Sequence, residues 1–342
     1  MTDYVELGYT SDHVWRTICV GKPSGEGEIY MGFTWNLLER CYSKVDGTGR
    51  YANNPLSITE NIQAYLVRKL KQISEIVDLC FQSDFGLLQE TDFLFPEYYT
   101  KKDEREKLPK EFIPIFEHLK TVLVSTLKVI GWHILYYEDK EMAIIYSSNL
   151  EYVDGSITTH LEYKSKLESK KVLFCADFMD RRSKQHLTLG TLHGNFNSDY
   201  SLEIPQLMKE LQSDNGLVIF GGNTNHPPSY KIDGLLVVNP QECTNFCTNY
   251  SECDEGFTKV YLHDDREDIR DQYIIKAYDG FFVVPPSKEK VSVMVGGHHV
   301  WEKEVSNNVE YVKLVSTYHT HCEVSDRGKP IFRSDAAKQL FA

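Results

Sequence analysis

The sequence predicts an α/β fold in which two β-sheets face each other with helices outside. Two observations predict it. Short apolar, β-prone runs alternate with stretches of helical periodicity, and the second half of the chain is rich in such runs. Several of the runs also end on one carboxylate, amide or imidazole that the apolar residues before it do not explain.

In chain order, the first run covers 29–35 and ends at Asn36. Ser57 and Glu60 have the spacing of a capping box, in which each side chain takes up a backbone N–H at a helix start. Ile58, Ile62, Leu66, Leu70, Ile73 and Val77 follow at helical spacing. That helix leads to a second strand over 85–89, ending at Glu90. A second helix is expected over 110–127, then a hairpin of runs 132–137 and 142–146 joined by the polar turn EDKE. Further strands fit 172–178 and 187–193, the latter ending at His193. SLEIPQLMKELQ reads as a helix feeding the strand 217–220, which Gly221 and Gly222 are expected to stop. Runs over 280–284, 291–295 and 312–316 complete the β-rich half, with Asp279 opening the first of them.

With 342 residues, 41% of them hydrophobic, the chain can bury a large core, which excludes a disordered polymer. Acidic residues outnumber basic ones 50 to 37, and the net charge of -13 disfavours binding to nucleic acid or anionic membrane by bulk charge. A local cluster, Lys101, Lys102, Arg105, Lys107 and Lys110, keeps nucleic acid open as a partner, although a solvated helix face explains it equally well. No stretch approaches the about twenty apolar residues of a membrane helix, and MTDYVELGYTSDHVW lacks a basic region followed by an apolar one. A cytoplasmic location is therefore expected.

No repeat or linker divides the chain, so one domain over 1–342 is the simplest organisation, with an N-terminal extension over about 1–27 and a cysteine-bearing insertion over about 226–270. Cys80 and Cys175 lie inside apolar runs, as reduced thiols do. Cys243, Cys247 and Cys253, followed by His263, lack the paired knuckles of a zinc site and read as an ordinary loop.

The strand-end residues suit one chemistry. Mg²⁺ takes oxygen ligands and keeps several waters, so a glutamate and an amide oxygen suffice beside a substrate phosphate. Histidine and asparagine side chains can hold phosphate oxygens while a fixed acceptor orients the attacking water. In order, TWNLL, LLQETD, TLHGNFN, IFGGNTN, YDGFFV and SDRGKPIF resemble the six motifs of the endonuclease/exonuclease/phosphatase (DNase I-like) superfamily, across nearly the whole chain. The resemblance implies a four-layer sandwich of two mainly antiparallel sheets flanked by helices, with Mg²⁺ or Mn²⁺ in a cleft at one edge. It matches Asn36 and Glu90 to metal-side residues and His193 to a histidine that contacts the scissile phosphate. Asn225 matches the asparagine that supports the transition state, Asp279 the aspartate that orients a catalytic histidine, and Asp326 the metal-side aspartate beside that histidine.

Two positions depart from the pattern. The family reads GDxN where this chain has Gly222, Asn223, Thr224 and Asn225, and an amide cannot take a proton from water as a carboxylate does. It reads SDH where this chain has Ser325, Asp326 and Arg327, and arginine grips phosphate but cannot shuttle a proton. His319 and His321, just upstream, are candidates to take over that role, against a plainer reading as a polar edge-strand pair. Two functions stay open: a Mg²⁺- or Mn²⁺-dependent phosphodiesterase or phosphatase weakened by these changes, and an inactive pseudoenzyme that serves as a binding module. The expected partner is a phosphorylated small molecule or nucleic acid in the first case, and another protein in the second.

Overall fold

The computed structural model describes residues 11, 13, 15–21, 28–38, 62–96, 112–137, 141–158, 173–194, 208, 210–211, 216–223, 236–238, 245–248, 273–276, 279–286, 291–296, 300–306, 309–315, 320–324 and 330–332. The chain begins with strands β1 (Arg16–Gly21) and β2 (Tyr30–Asn36), then helix α1 (Ile62–Cys80) and β3 (Phe85–Gln89). Helix α2 (Ile113–Val129) precedes the hairpin of β4 (Trp132–Tyr137) and β5 (Met142–Ser147). The second half supplies β6 (Leu150–Tyr152), β7 (Leu173–Asp180), β8 (His186–His193), β9 (Gly216–Asn223) and β10 (Leu236–Val238). It continues with β11 (Asn245–Thr248), β12 (Tyr273–Lys276), β13 (Asp279–Val284), β14 (Ser292–Gly296), β15 (Val300–Ser306), β16 (Val309–Val315), β17 (Thr320–Val324) and β18 (Pro330–Phe332).

Two sheets organise these strands. The first runs β18-β17-β14-β1-β2-β3-β5-β4 and the second β10-β13-β9-β8-β7-β6, while β11–β12 and β15–β16 form separate two-stranded pairs. All pairings are antiparallel except β2 with β3 and β8 with β9. The expected architecture of facing, mainly antiparallel sheets is therefore present. Residues 16–21, which the motif order leaves ahead of the domain, form an inner strand between β14 and β2, because Ile18 and Val20 are apolar and pack into the core.

The two-residue period of a strand assigns each side chain to one of two cores. Tyr30, Phe85, Leu87, Met142 and Ile144 of the first sheet meet Phe174, Leu187, Leu189, Ile219, Phe281 and Val283 of the second. The alternate residues, Phe33, Trp35, Leu88 and Ile145, pack outward under α1 and α2 against Tyr65, Ile76, Phe116 and Leu123. On the far side of the second sheet, Val218, Phe220 and Phe282 receive the fully buried Met208. Being buried on both faces, β2, β3, β5 and β9 read as continuous apolar runs, and each large side chain so buried contributes about 1.5–3 kcal/mol.

Two details differ from the sequence expectation. First, α1 is rotated. Its apolar spacing points Leu70 inward, yet Leu70 is 36% exposed while the charged residues Arg68 and Lys69 are buried. The cause lies at the end of β2. Lys69 Nζ donates to the carbonyls of Leu37 and Leu38 (3.0 and 2.7 Å), Arg68 Nη1 to the same two (3.0 and 2.9 Å) and Gln72 Nε2 to Leu37 (2.8 Å). Second, β9 does not stop at Phe220. It continues through Gly221 and Gly222 to Asn223, because pairing with β8 and β13 continues that far. A Cβ on Gly221 would lie 2.8 Å from the Phe281 ring, and one on Gly222, at φ 151°, would collide with the Leu192 carbonyl. The glycines thus serve a close approach of strands rather than a break.

Candidate active site

The same period that builds the inter-sheet core carries polar residues to one end of it. Along β13, Asp279 shares a face with Phe281 and Val283; along β9, Asn223 shares one with Leu217 and Ile219; along β8, His193 shares one with Leu187 and Leu189. Register places His193 beside Asn223 and Asn223 beside Asp279, so three polar side chains sit side by side on adjacent strands. On the opposing sheet Asn36 pairs with Gln89, and Glu90 follows directly. The two sheets are tied together just beneath by the Gln89 amide nitrogen, 3.0 Å from Thr34 Oγ1 and 2.8 Å from Thr191 Oγ1.

Glu90 is held in a conformation that its residue type resists. Its φ is 54°, in the left-handed region, which costs a residue with a Cβ about 1–2 kcal/mol. Such strain persists only where the surroundings enforce it. Here Leu37 N–H donates to the Gln89 carbonyl (2.9 Å) and Thr91 N–H to the Glu141 carbonyl (2.9 Å), clamping the chain on both sides. The result turns the carboxylate of Glu90, 8% exposed, toward both sheets. Asn36 Nδ2 donates to Oε1 (3.1 Å), and His193 Nε2 lies 3.2 Å from the same oxygen.

Behind this pair the α1 side chains form a buried cationic support. Lys69 Nζ is 3.5 Å from Asp92 Oδ1 with both side chains at 0% exposure, and Tyr65 Oη donates to the same oxygen (3.0 Å). The Leu37 and Leu38 carbonyls that this support grips belong to the turn leaving Asn36, where Leu38 also has a left-handed φ of 51°.

The sequence reading missed one member of the site. His13, 6% exposed, places Nδ1 2.8 Å from Asp279 Oδ2 and Nε2 3.4 Å from Asn223 Nδ2. A carboxylate only accepts, so Asp279 holds the proton on Nδ1 and leaves the Nε2 lone pair toward Asn223. The segment is pinned to β2: Ser11 Oγ donates to the Asn36 carbonyl (2.8 Å), His13 N–H donates to Ser11 Oγ (3.1 Å) and Trp35 Nε1 donates to the His13 carbonyl (3.2 Å). A signal for it existed: Ser11, Asp12 and His13 spell SDH, the tripeptide expected near the other end of the chain.

The structure thus gathers Asn36, Glu90, His193, Asn223 and Asp279 at one end of the sandwich. Asn225, Asp326 and Arg327 lie outside the described residues, as do His319, Cys243, Cys253, His263 and the basic residues 101–110. His321 and Cys247 lie in β17 and β11, which are described by backbone alone.

The donors fit a hard divalent cation. Asn36 Oδ1 accepts the Leu38 N–H (3.0 Å) and keeps a second lone pair, and Glu90 adds a carboxylate. Among the described residues no group of three or more His, Cys, Asp and Glu side chains is placed to hold a metal, so the described share of a site is this oxygen pair. One carboxylate with an amide suits Mg²⁺ or Mn²⁺, which keep waters and substrate oxygens, and does not suit a closed zinc centre. His193 Nδ1, buried, has no hydrogen-bond partner among the described residues.

No family model matches the chain, and no curated protein does. Solved structures similar to it include humanized D. rerio TDP2, 16% identical over 85% of this chain and 96% of that one, with a TM-score of 0.42. The human Nocturnin catalytic domain with bound sulfate anion is 10% identical over 74% and 86%, at 0.38. An endonuclease/exonuclease/phosphatase family protein from Bacteroides thetaiotaomicron is 16% identical over 76% and 88%, at 0.36. The two facing, mainly antiparallel sheets and the convergence of polar residues at their strand ends are the architecture that the resemblance of the motifs implies.

Proposed function

We propose that the chain is a divalent-metal-dependent phosphoester hydrolase acting on a phosphorylated small molecule or nucleic acid. The observation that carries this reading is the cluster at one end of the sandwich, where a strained Glu90 meets Asn36 and His193 while Asn223 and Asp279 complete the opposing wall. Buried polar groups gathered at the price of a left-handed glutamate are a poor way to stabilise a core and a good way to preorganise a site.

Glu90 and Asn36 would hold the ion, Mg²⁺ or Mn²⁺, which when bound neutralises phosphate charge as a Lewis acid. His193 is oriented by Glu90 through Nε2, and in its imidazolium form Nδ1 donates to a phosphate oxygen. Asn223 offers amide hydrogen bonds where a carboxylate was expected. Asn225, in the role the motifs imply, would support the transition state. The buried free thiols of Cys19, Cys80 and Cys175, with burial pushing Cys80 and Cys175 up to about 12, suit a reducing compartment and support the cytoplasmic expectation.

The test is a hydrolysis assay of the purified chain with Mg²⁺ or Mn²⁺ on oligonucleotides, nucleotides and inositol phosphates, with Glu90→Ala in parallel. Turnover that falls about 100-fold or more in a folded Glu90→Ala variant is expected. Turnover unaffected by that change contradicts the reading, and wild-type silence on every substrate favours the binding module.

A further inference from the structure

Resting on that reading, we propose that Gln89 is a positioning residue: its amide bridges the two sheets to hold Glu90 and His193 in contact, and it does so at a cost in stability. Gln89 is fully buried and follows Phe85 and Leu87 on the inter-sheet face of β3. Its Nε2 donates to Thr34 Oγ1 (3.0 Å) and the Leu87 carbonyl (2.9 Å) on its own sheet, and to Thr191 Oγ1 (2.8 Å) on the other. A carbonyl oxygen only accepts, so Leu87 decides which end of the amide is the nitrogen. The Thr191 hydroxyl then passes its own proton back across the gap to the Leu88 carbonyl (3.3 Å), as Thr34 does to Leu87 within the first sheet (3.1 Å).

The bridge lies directly beneath the site on both sheets. Gln89 precedes Glu90, and Thr191 stands two residues before His193 on the same face of β8, about 7 Å along the strand. The contact of Glu90 Oε1 with His193 Nε2, 3.2 Å, is thus the second of two successive rungs between the sheets. Below the first rung the facing residues are Leu87, Leu187, Leu189 and Ile219, whose attraction is non-directional and leaves sliding along the strands to other forces. A hydrogen bond is directional and holds its atoms within about 0.3 Å of one separation, finer than the about 0.5 Å to which reacting groups must be placed.

The other half of the amide shows that stability is not its purpose. Oε1 is buried with no hydrogen-bond partner among the described residues. A half-satisfied buried amide is worse for the fold than an apolar side chain of the same length, because the desolvated oxygen recovers nothing. Methionine has that length, and in its place both hydroxyls keep the carbonyls they already donate to. The fold loses nothing by that exchange, whereas the site loses its bridge.

The test uses the full chain in three variants: Gln89→Met removes the amide, Thr191→Val removes its partner on the second sheet, and Thr191→Ser keeps that hydroxyl. The thermal unfolding midpoint of Gln89→Met should equal or exceed that of wild type. In a Mn²⁺-supported phosphoester assay, kcat should fall about 10-fold or more in Gln89→Met and Thr191→Val with little change in KM, and stay near wild type in Thr191→Ser. Without metal or substrate, the imidazole nitrogen resonances of His193 should move in the first two variants toward their positions in Glu90→Ala, which a role confined to packing would not produce. A lowered midpoint in Gln89→Met makes the amide a stabilising staple and overturns the proposal. Wild-type kcat in both Gln89→Met and Thr191→Val, or an equal loss in Thr191→Ser, also overturns it. If the wild-type chain turns over nothing, the hydrolase reading fails by itself and the resonances decide: His193 nitrogens that keep their wild-type positions in both variants overturn the positioning role.

Discussion

The two ends of the sandwich make opposite use of buried polar groups. At the end away from the site, Asp180 is fully buried at the close of β7 and accepts from Arg182 N–H (2.9 Å) and Nε (3.2 Å), Tyr30 Oη (2.9 Å) and Ser183 Oγ (3.0 Å). These four donors serve the carboxylate, in backbone that needs no unusual φ at that residue. At the other end, Glu90 sits at φ 54°, and both His193 Nδ1 and Thr91 Oγ1 are buried without a hydrogen-bond partner among the described residues. A saturated carboxylate is a staple; a strained one beside buried groups with no hydrogen-bond partner among the described residues is what the proposed hydrolase would use. The contrast separates stability from function more sharply than burial does, since both carboxylates are buried.

The largest effect on stability should come from the support behind the site. Replacing Lys69 by Met removes the cation that faces buried Asp92 and two carbonyls, and should cost about 3–5 kcal/mol in chemical denaturation. A loss below about 1 kcal/mol would mean that Asp92 is satisfied without it and that the support is not what holds the turn after Asn36.

A smaller effect is expected at the far end, with a sign set by acidity. Burial alone would weaken Asp180 as an acid, but hydrogen bonds from Arg182, Tyr30 and Ser183 outweigh it and hold the carboxyl below its ordinary value. Its contribution is therefore complete above the unfolded value of about 3.9 and disappears as pH falls through the folded one. Neighbouring Asp84, raised mainly by burial, has the opposite sign, so the wild-type curve alone mixes the two. Asp180→Asn isolates the first: it should lose about 1–3 kcal/mol near neutrality, show a shallower fall between pH 5 and 3 by about the same amount, and leave phosphoester turnover intact. Turnover that falls with Asp180→Asn would erase the distinction between the two ends.

Much of this was legible in the sequence because strands announce themselves by apolar runs and their ends by a change of residue type. Asn36, Glu90, His193 and Asp279 each stand at such a change, and the facing sheets follow from the order of the runs. The rotation of α1 was not legible, because it depends on carbonyls of Leu37 and Leu38 that only the folded β2 turn presents to Arg68, Lys69 and Gln72. The extension of β9 through two glycines depends likewise on how close Phe281 and Leu192 come. His13 escaped because no apolar run precedes it and its partner Asp279 is 266 residues away, and because the motif order directs attention to the opposite end of the chain.

The most direct measurement of the central claim is a crystal structure of the full chain grown with Mn²⁺ and inorganic phosphate. Anomalous density is predicted at Glu90 and Asn36, with phosphate between that ion, His193 Nδ1 and the His13–Asn223 wall. Density for either ion elsewhere, or an Asn36–Glu90–His193 cluster left bare at saturating concentrations, would contradict it.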